Sequence, residues 1–265
     1  MRVALTHRVS AALVVALVVL LAALTWANSG TTSRGDPLVL HGHAPASVEF
    51  TLTVSTTGLR RTSGTVWLDL VTGALRATLA VPVLTAATEI DVREVGDRLF
   101  LTSPNLADAA GPVWYVQPVR WPSVRGLAPI VVAPRRALAT LLAHATIARH
   151  GDVTTYEVRR RPVRLASVTA PGAPTSAGTL DVVVTAGAHG ELTALWARMT
   201  SKSDATTVSL QVLSYHPSLV VSAPPPARAT VPAGPLLGQL ATSRVLGTLV
   251  LPATLIALVT PSKLG

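Results

Sequence analysis

From Ser47 onward apolar residues recur at every second position, and that period decides the class of fold. Val48, Phe50, Leu52 and Val54 alternate with Glu49, Thr51 and Thr53. Val66, Leu68 and Leu70 alternate with Thr65, Trp67 and Asp69, and Leu75, Ala77, Leu79 and Val81 with Arg76, Thr78 and Ala80. Ile90 and Val92 alternate with Glu89, Asp91 and Arg93. Successive side chains of a strand point to opposite faces, so each run is a strand with one apolar and one wetter face, as in an antiparallel sheet. Thr72-Gly73 and Gly96-Asp97 separate runs as tight turns do. Arg98–Thr102 and Pro112–Val119 extend the series. A second set comprises Thr154–Arg161, a strand carrying Leu180, Val182 and Val184, Glu191–Thr200 after His189-Gly190, and, beyond Ser203-Asp204, a strand carrying Val208, Leu210 and Val212.

The stretch from Pro134 to Arg149 has a different period. Leu138, Leu141, Leu142 and Ala145 stand at i, i+3, i+4 and i+7, which predicts a helix entered through Pro134 and stopped at His150-Gly151. Ser123 to Ala133 is apolar and interrupted by proline, which predicts a covering loop. Residues 47–222 thus read as a mainly β, α+β chain of about ten strands with one central covering helix.

Both ends are apolar for other reasons. Arg2, His7 and Arg8 precede an unbroken apolar run from Val9 to Ala27. Segment 1–27 is a signal peptide cleaved after Ala27 or a retained N-terminal membrane anchor, and both place the body outside the cytoplasm, in the cell envelope or secreted. Residues 28–46 are a linker rich in Gly, Ser, Thr and Pro. Residues 227–265 form an apolar tail with helical potential. Its run from Val245 to Val259 would make a helix of about 22 Å, short of the roughly 30 Å hydrocarbon core, which favours contact with the sheet or the membrane surface over a span.

Composition removes several chemistries. The 265 residues contain no cysteine, so no disulfide, thiolate metal site, iron–sulfur cluster, cysteine nucleophile or lipidated N-terminal cysteine is available. Hydrophobic residues make up 49% and charged residues 13%, which excludes a disordered polyelectrolyte. Gly-x-Ser-x-Gly, His-Glu-x-x-His and Gly-x-x-x-x-Gly-Lys are all absent, and no cofactor or enzymatic activity is expected. Glu89, Asp91, Glu94 and Asp97 are the densest acidic group and read as a solvated strand face. His41 and His43 read as solvated loop histidines, and His144 as a boundary residue of the helix. Arg34-Gly35-Asp36 is a tripeptide of the kind chance supplies. The net charge of +9 gathers in Arg60-Arg61 and in Arg159-Arg160-Arg161 with Arg164. Export, and the lack of interleaved aromatics, argue against nucleic acid as the partner and for anionic lipid headgroups or envelope polyanions.

Four passages together carry a resemblance: Val95-Gly96-Asp97-Arg98-Leu99-Phe100; Val113-Trp114-Tyr115; the helix Ala137–Leu142 followed by Gly151–Val158; and His189–Leu192 through Thr206–Leu210 to Tyr215 and Pro224-Pro225. In this order they resemble the LppX/LprG-type envelope lipoproteins of mycobacteria and other actinobacteria, whose fold is similar to LolA and LolB. The resemblance spans residues 47–226. It implies a strongly curved, half-open antiparallel sheet wrapped around helices, with a cavity for acyl chains between them. The implied function is a non-enzymatic carrier of a lipid or lipoglycan, working at a membrane surface with an envelope transporter of unknown identity. The cavity candidates are Val48, Phe50, Leu52, Val66, Leu68, Leu70, Leu75, Leu79, Ile90, Val92, Leu99 and Leu101 of the sheet, with Leu138, Leu141 and Leu142 of the helix. The chain departs from the family in lacking the lipidated cysteine. The competing reading is a structural or interaction protein of the envelope with a closed core and no ligand.

Overall fold

The computed structural model describes residues 40, 45–57, 61–83, 86–102, 107–108, 111–118, 127–165, 176–200, 205–216, 220–226 and 231–232. Segment 1–27, expected to be a signal peptide or an anchor, nearly all of the expected linker with His41 and His43, and the expected tail except 231–232 lie outside the described residues. So does the turn at Ser203-Asp204.

Two meanders make one sheet. The first contains β1 (Ser47–Thr56), β2 (Thr62–Asp69), β3 (Leu75–Val83), β4 (Ala86–Val95) and β5 (Arg98–Thr102). A small separate pair, β6 (Ala107–Asp108) and β7 (Gly111–Pro112), precedes β8 (Tyr115–Pro118). The second meander contains β9 (Thr146–His150), β10 (Val153–Leu165), β11 (Ser176–Ala186), β12 (Leu192–Thr200) and β13 (Ala205–His216). Finally β14 (Val231–Pro232) pairs in parallel with β8. The order is β14-β8-β5-β4-β3-β2-β1-β13-β12-β11-β10-β9, an open twelve-stranded sheet whose other pairings are antiparallel. The mainly β, antiparallel architecture expected from the alternation is observed, and the sheet is open, as the resemblance implies.

The join between the meanders is β1 against β13, from Ser47↔His216 to Thr56↔Thr206. The turns fall where the sequence signals placed them. Gly73, Gly96 and Gly190 have φ of 72°, 65° and 82°, conformations in which glycine avoids the Cβ clash. At the β2–β3 turn Asp69 is buried, and its Oδ1 accepts hydrogen bonds from the N–H groups of Val71 and Thr72, both at 2.9 Å. Its carboxylate therefore serves the turn, although its register position would put it on a wet face.

The helical region differs from the expectation of one helix from Pro134 to Arg149. Three short helices occur: α1 (Leu127–Val132), α2 (Pro134–Ala137) and α3 (Ala139–Leu142). The segment expected as a covering loop thus contains α1. That helix stops because the residue before a proline avoids the helical region, and Ala133 is extended at φ −145° and ψ 69°. Leu138, at φ −109° and ψ 20°, separates α2 from α3. The anticipated last turn is instead β9, paired with β10 from Val153↔His150 to Glu157↔Thr146. His150-Gly151 is accordingly a hairpin turn, with Gly151 at φ 56°. A helix continued through Ile147 would have forfeited this ladder and left β10 unpaired along that edge.

One position in β2 has no tolerance for a side chain. Gly64 lies between Leu52 and Leu79 in register, and a Cβ there would stand 2.0 Å from the Thr78 carbonyl oxygen and 2.9 Å from the Leu79 Cα. Backbone cannot move aside as a flexible side chain can. Gly64→Ala is expected to destabilise the fold by about 1–3 kcal/mol, read as a lower urea midpoint. An unchanged midpoint would show that β2 and β3 separate without cost.

Candidate functional site

The inner face of the sheet and the three helices form one apolar layer. Of the fifteen residues nominated from the sequence, thirteen are buried in it: Val48, Phe50, Leu52, Val66, Leu68, Leu75, Leu79, Val92, Leu99, Leu101, Leu138, Leu141 and Leu142. Leu70 and Ile90 are partly buried and pack against it. The second meander adds Tyr156, Val158, Leu180, Val182, Val184, Leu192, Leu195, Val208 and Leu210. These were legible as strand residues, but only β1–β13 pairing puts them in the same layer. Leu127, Ile130 and Val131 of α1 join them, and their i, i+3, i+4 spacing was visible in a segment too short and proline-rich to read as helix.

Two polar side chains of the sheet fasten this cover. The Tyr215 hydroxyl shares its hydrogen between the Leu192 carbonyl oxygen at 2.8 Å and that of Val131 in α1 at 3.2 Å. Burial, with Glu191 nearby, pushes its pKa above the usual phenol range, so the hydroxyl remains a donor. Arg161 Nη1 donates to the carbonyl oxygens of Thr140 and Leu141 in α3, each at 3.2 Å. Carbonyls in the last turn of a helix have no partner within it.

The acidic group divides between the two faces. Glu89 and Asp97 are exposed, in keeping with a solvated strand face. Glu94 is not: it shares the inner face with Val92, sits between Leu75 and Leu99 in register, and is 3% exposed. The alternation along β4 carries it inward, and a local cluster of like charges in sequence therefore separates in space. His144 is exposed next to the helices.

Asp91 belongs to a polar cluster on the outer face. Its Oδ2 is 3.6 Å from Arg76 Nη2 and 3.9 Å from Arg93 Nη2. Arg76 lies over Trp67 at 5.3 Å and Arg93 over Trp114 at 4.6 Å, distances at which a guanidinium is attracted to the ring face. The segment after β13 crosses this face, and Arg93 Nη1 donates to the Ser222 carbonyl oxygen at 3.2 Å. A cavity of about 120 Å³ remains between Trp67, Arg76, Arg93 and residues 220–222. Its lining is mixed: Arg76 and Arg93 face it together with Trp67, Val220 and Val221.

The same face holds Ser214, His216 and Glu49. Ser214 Oγ is 2.7 Å from His216 Nε2, and that same nitrogen is 3.3 Å from Glu49 Oε2. A catalytic triad needs the two ring nitrogens in separate roles, one toward the nucleophile and one toward the acid. With both contacts on Nε2, this trio is a cross-strand polar network. Among the described residues no group of three His, Cys, Asp or Glu side chains is placed to hold a metal ion, and no helix is long and apolar enough to cross a membrane.

Burial raises the pKa of Asp91, against the opposing pull of Arg76 and Arg93, while Glu89 adds to the rise. Burial lowers that of Arg93, against the pull of Asp91. A carboxyl whose folded pKa exceeds its ordinary 3.8 binds its proton more tightly in the folded state, so its ionisation costs stability. Relative to Asp91→Asn, the wild type is expected to gain stability as the pH falls from about 7 to about 4 through the carboxylate range. Urea unfolding of both proteins across that range checks the sign. A wild type that loses ground to the variant on acidification would contradict it.

No protein-family model matches the chain, and neither does any curated protein. Two of the solved structures similar to it are these. The Mycobacterium tuberculosis lipoprotein LppX shares 17% identity over 77% of this chain and 98% of its own, with a TM-score of 0.37. A LolA-superfamily protein from Nitrosomonas europaea shares 9% identity over 69% of this chain and 90% of its own, with a TM-score of 0.27. At these values nothing about ligand or partner passes from either protein to this chain. Both likenesses fall within the resemblance read from the sequence, that of an LppX-like, LolA-like sheet.

Proposed function

We propose that the protein is a non-enzymatic carrier of the cell envelope, which holds the acyl chains of a lipid or lipoglycan between its sheet and its helices. The observation that carries this reading is the disproportion between the two layers. Eight long strands present a continuous apolar face, and the described helices that cover it have six, four and four residues. An apolar sheet face requires a cover, and a cover of short pieces can be displaced at low cost. The layer is aliphatic: among the described residues its buried aromatic members are Phe50 and Tyr156 alone. Flexible aliphatic side chains suit an acyl chain, which offers dispersion contacts and no hydrogen bonds. The N-terminal segment supports an extracytoplasmic location, and a membrane surface is where such a carrier would load.

One observation favours the closed-core alternative. Val48, Val66, Leu68, Ala77, Leu79 and Val92 are each 0% exposed, so no water-sized space is left beside these side chains. In the carrier reading, an acyl chain enters by separating the helices from this surface.

Native mass spectrometry of the full chain, expressed in a mycobacterial host and purified without detergent, tests the proposal. A carrier is expected to show a mass excess that organic extraction removes. Leu79→Trp separates the readings further. In a carrier the cover yields to the larger side chain as it yields to lipid, so lipid is lost while stability changes little. In a closed core it overpacks and costs about 1–3 kcal/mol. A protein without bound lipid that is also destabilised by the tryptophan would overturn the carrier reading.

A further inference from the structure

The triplet Arg159-Arg160-Arg161 is a single basic cluster in the sequence, but the structure assigns its members to different environments. Val158 pairs with Val182 and Arg161 pairs with Leu180, so two residues of β10 face the single residue Asp181 of β11. This is a β-bulge, in which one extra residue shifts the alternation of the strand. Arg159 pairs with Glu157 and is well exposed. Arg160 has φ 47°, in the left-handed region that a side chain disfavours, and its N–H donates to Asp181 Oδ1 at 2.7 Å. Without the bulge, strict alternation from Val158 would point Arg160 inward and Arg161 outward. With it, Arg161 occupies the inner face opposite the fully buried Leu180 and reaches the α3 carbonyls.

Arg161 stands partly exposed at the edge of the apolar layer, open to an incoming anion, and among the described residues it has no acidic partner. It is bonded to neutral carbonyls only. Its bonds to the carbonyls already carry the charge of one partner; a carboxylate or phosphate adds the opposite charge and can take two parallel N–H···O bonds from the guanidinium fork, so an anion arriving at this edge of the cover competes successfully for Arg161. We propose that Arg161 is a latch: it holds α3 on the sheet in the empty protein and exchanges the helix carbonyls for the anionic headgroup of an incoming lipid, which frees the cover to lift. Asp181 positions the latch by holding the bulge. The proposal rests on the carrier reading and narrows it to lipids with a phosphate or carboxylate head.

Hydrogen exchange of the full chain, followed by mass spectrometry, tests it. Arg161→Met is expected to speed exchange in residues 139–145 by about tenfold, the scale of losing hydrogen bonds from a charged donor, while β11–β13 stay unchanged. Arg161→Lys should restore part of the protection, because it keeps the charge with a single point donor. Asp181→Ala should loosen the same residues without touching the helix, and serves if Arg161→Met does not fold. Vesicles of phosphatidylglycerol and phosphatidylcholine in equal parts should speed exchange there in the wild type and add nothing in Arg161→Met. Phosphatidylcholine vesicles, or inorganic phosphate alone, should have no effect. Equal protection in wild type, Arg161→Met and Asp181→Ala would overturn the latch. Release by phosphatidylcholine or by phosphate alone would overturn the role of the lipid head. A wild type that never binds lipid, yet loses α3 protection in Arg161→Met, would leave the latch standing and remove the carrier.

Discussion

The pairing of β1 with β13 is the contact on which the rest of the molecule depends. It joins Ser47 to His216 and so brings the two ends of the domain together. Each meander is built from neighbouring strands and short turns, but neither alone presents an apolar face wide enough to bury. Once β1 and β13 are in register, Phe50, Leu52 and Val54 stand beside Val208 and Leu210, and the two faces become one. Such a contact between distant residues requires closing most of the chain into a loop before it returns any stabilisation, a step that slows the folding of β proteins.

Register then decides what each side of the sheet does. A one-residue slip of β1 would move Val48, Phe50 and Leu52 to the outer face and expose them. The outer face tolerates charge because its groups have partners: Asp91 sits between two arginines, and those stack on Trp67 and Trp114. The inner face carries little polarity: Glu94 is buried there, and Tyr215 and Arg161 direct hydrogen bonds to helix carbonyls. The cover is held by apolar contact and a few polar fastenings, and this sets it apart from the continuous ladder of the sheet.

Several residues show why parts of this arrangement were hidden. The stripe Leu138, Leu141, Leu142 predicts a buried helical face, and all three are buried with Leu141 and Leu142 in α3, but the helix expected to run on to Arg149 gives way to β9 from Thr146. Four or five residues of helical period cannot be told from a short helix followed by a strand, and the competing ladder with β10 is a tertiary fact. Glu94 was read with its acidic neighbours as solvated, although its position two residues beyond Val92 predicts the inner face. The bulge at Arg159-Arg160 has no local signature, since it depends on Asp181 lying across the strand.

The amino-acid sequence by itself determined the two-residue period, hence an antiparallel sheet with one aliphatic face, and the glycines that turn its hairpins. It also determined the absence of thiol chemistry and the apolar N-terminal segment. These are properties of single residues and near neighbours. Only the tertiary structure decided that both meanders share one inner layer, that the helix is three short pieces, and that one arginine of three faces inward. Each of those outcomes is settled by pairing between residues far apart in the chain, where register and packing outweigh local preference.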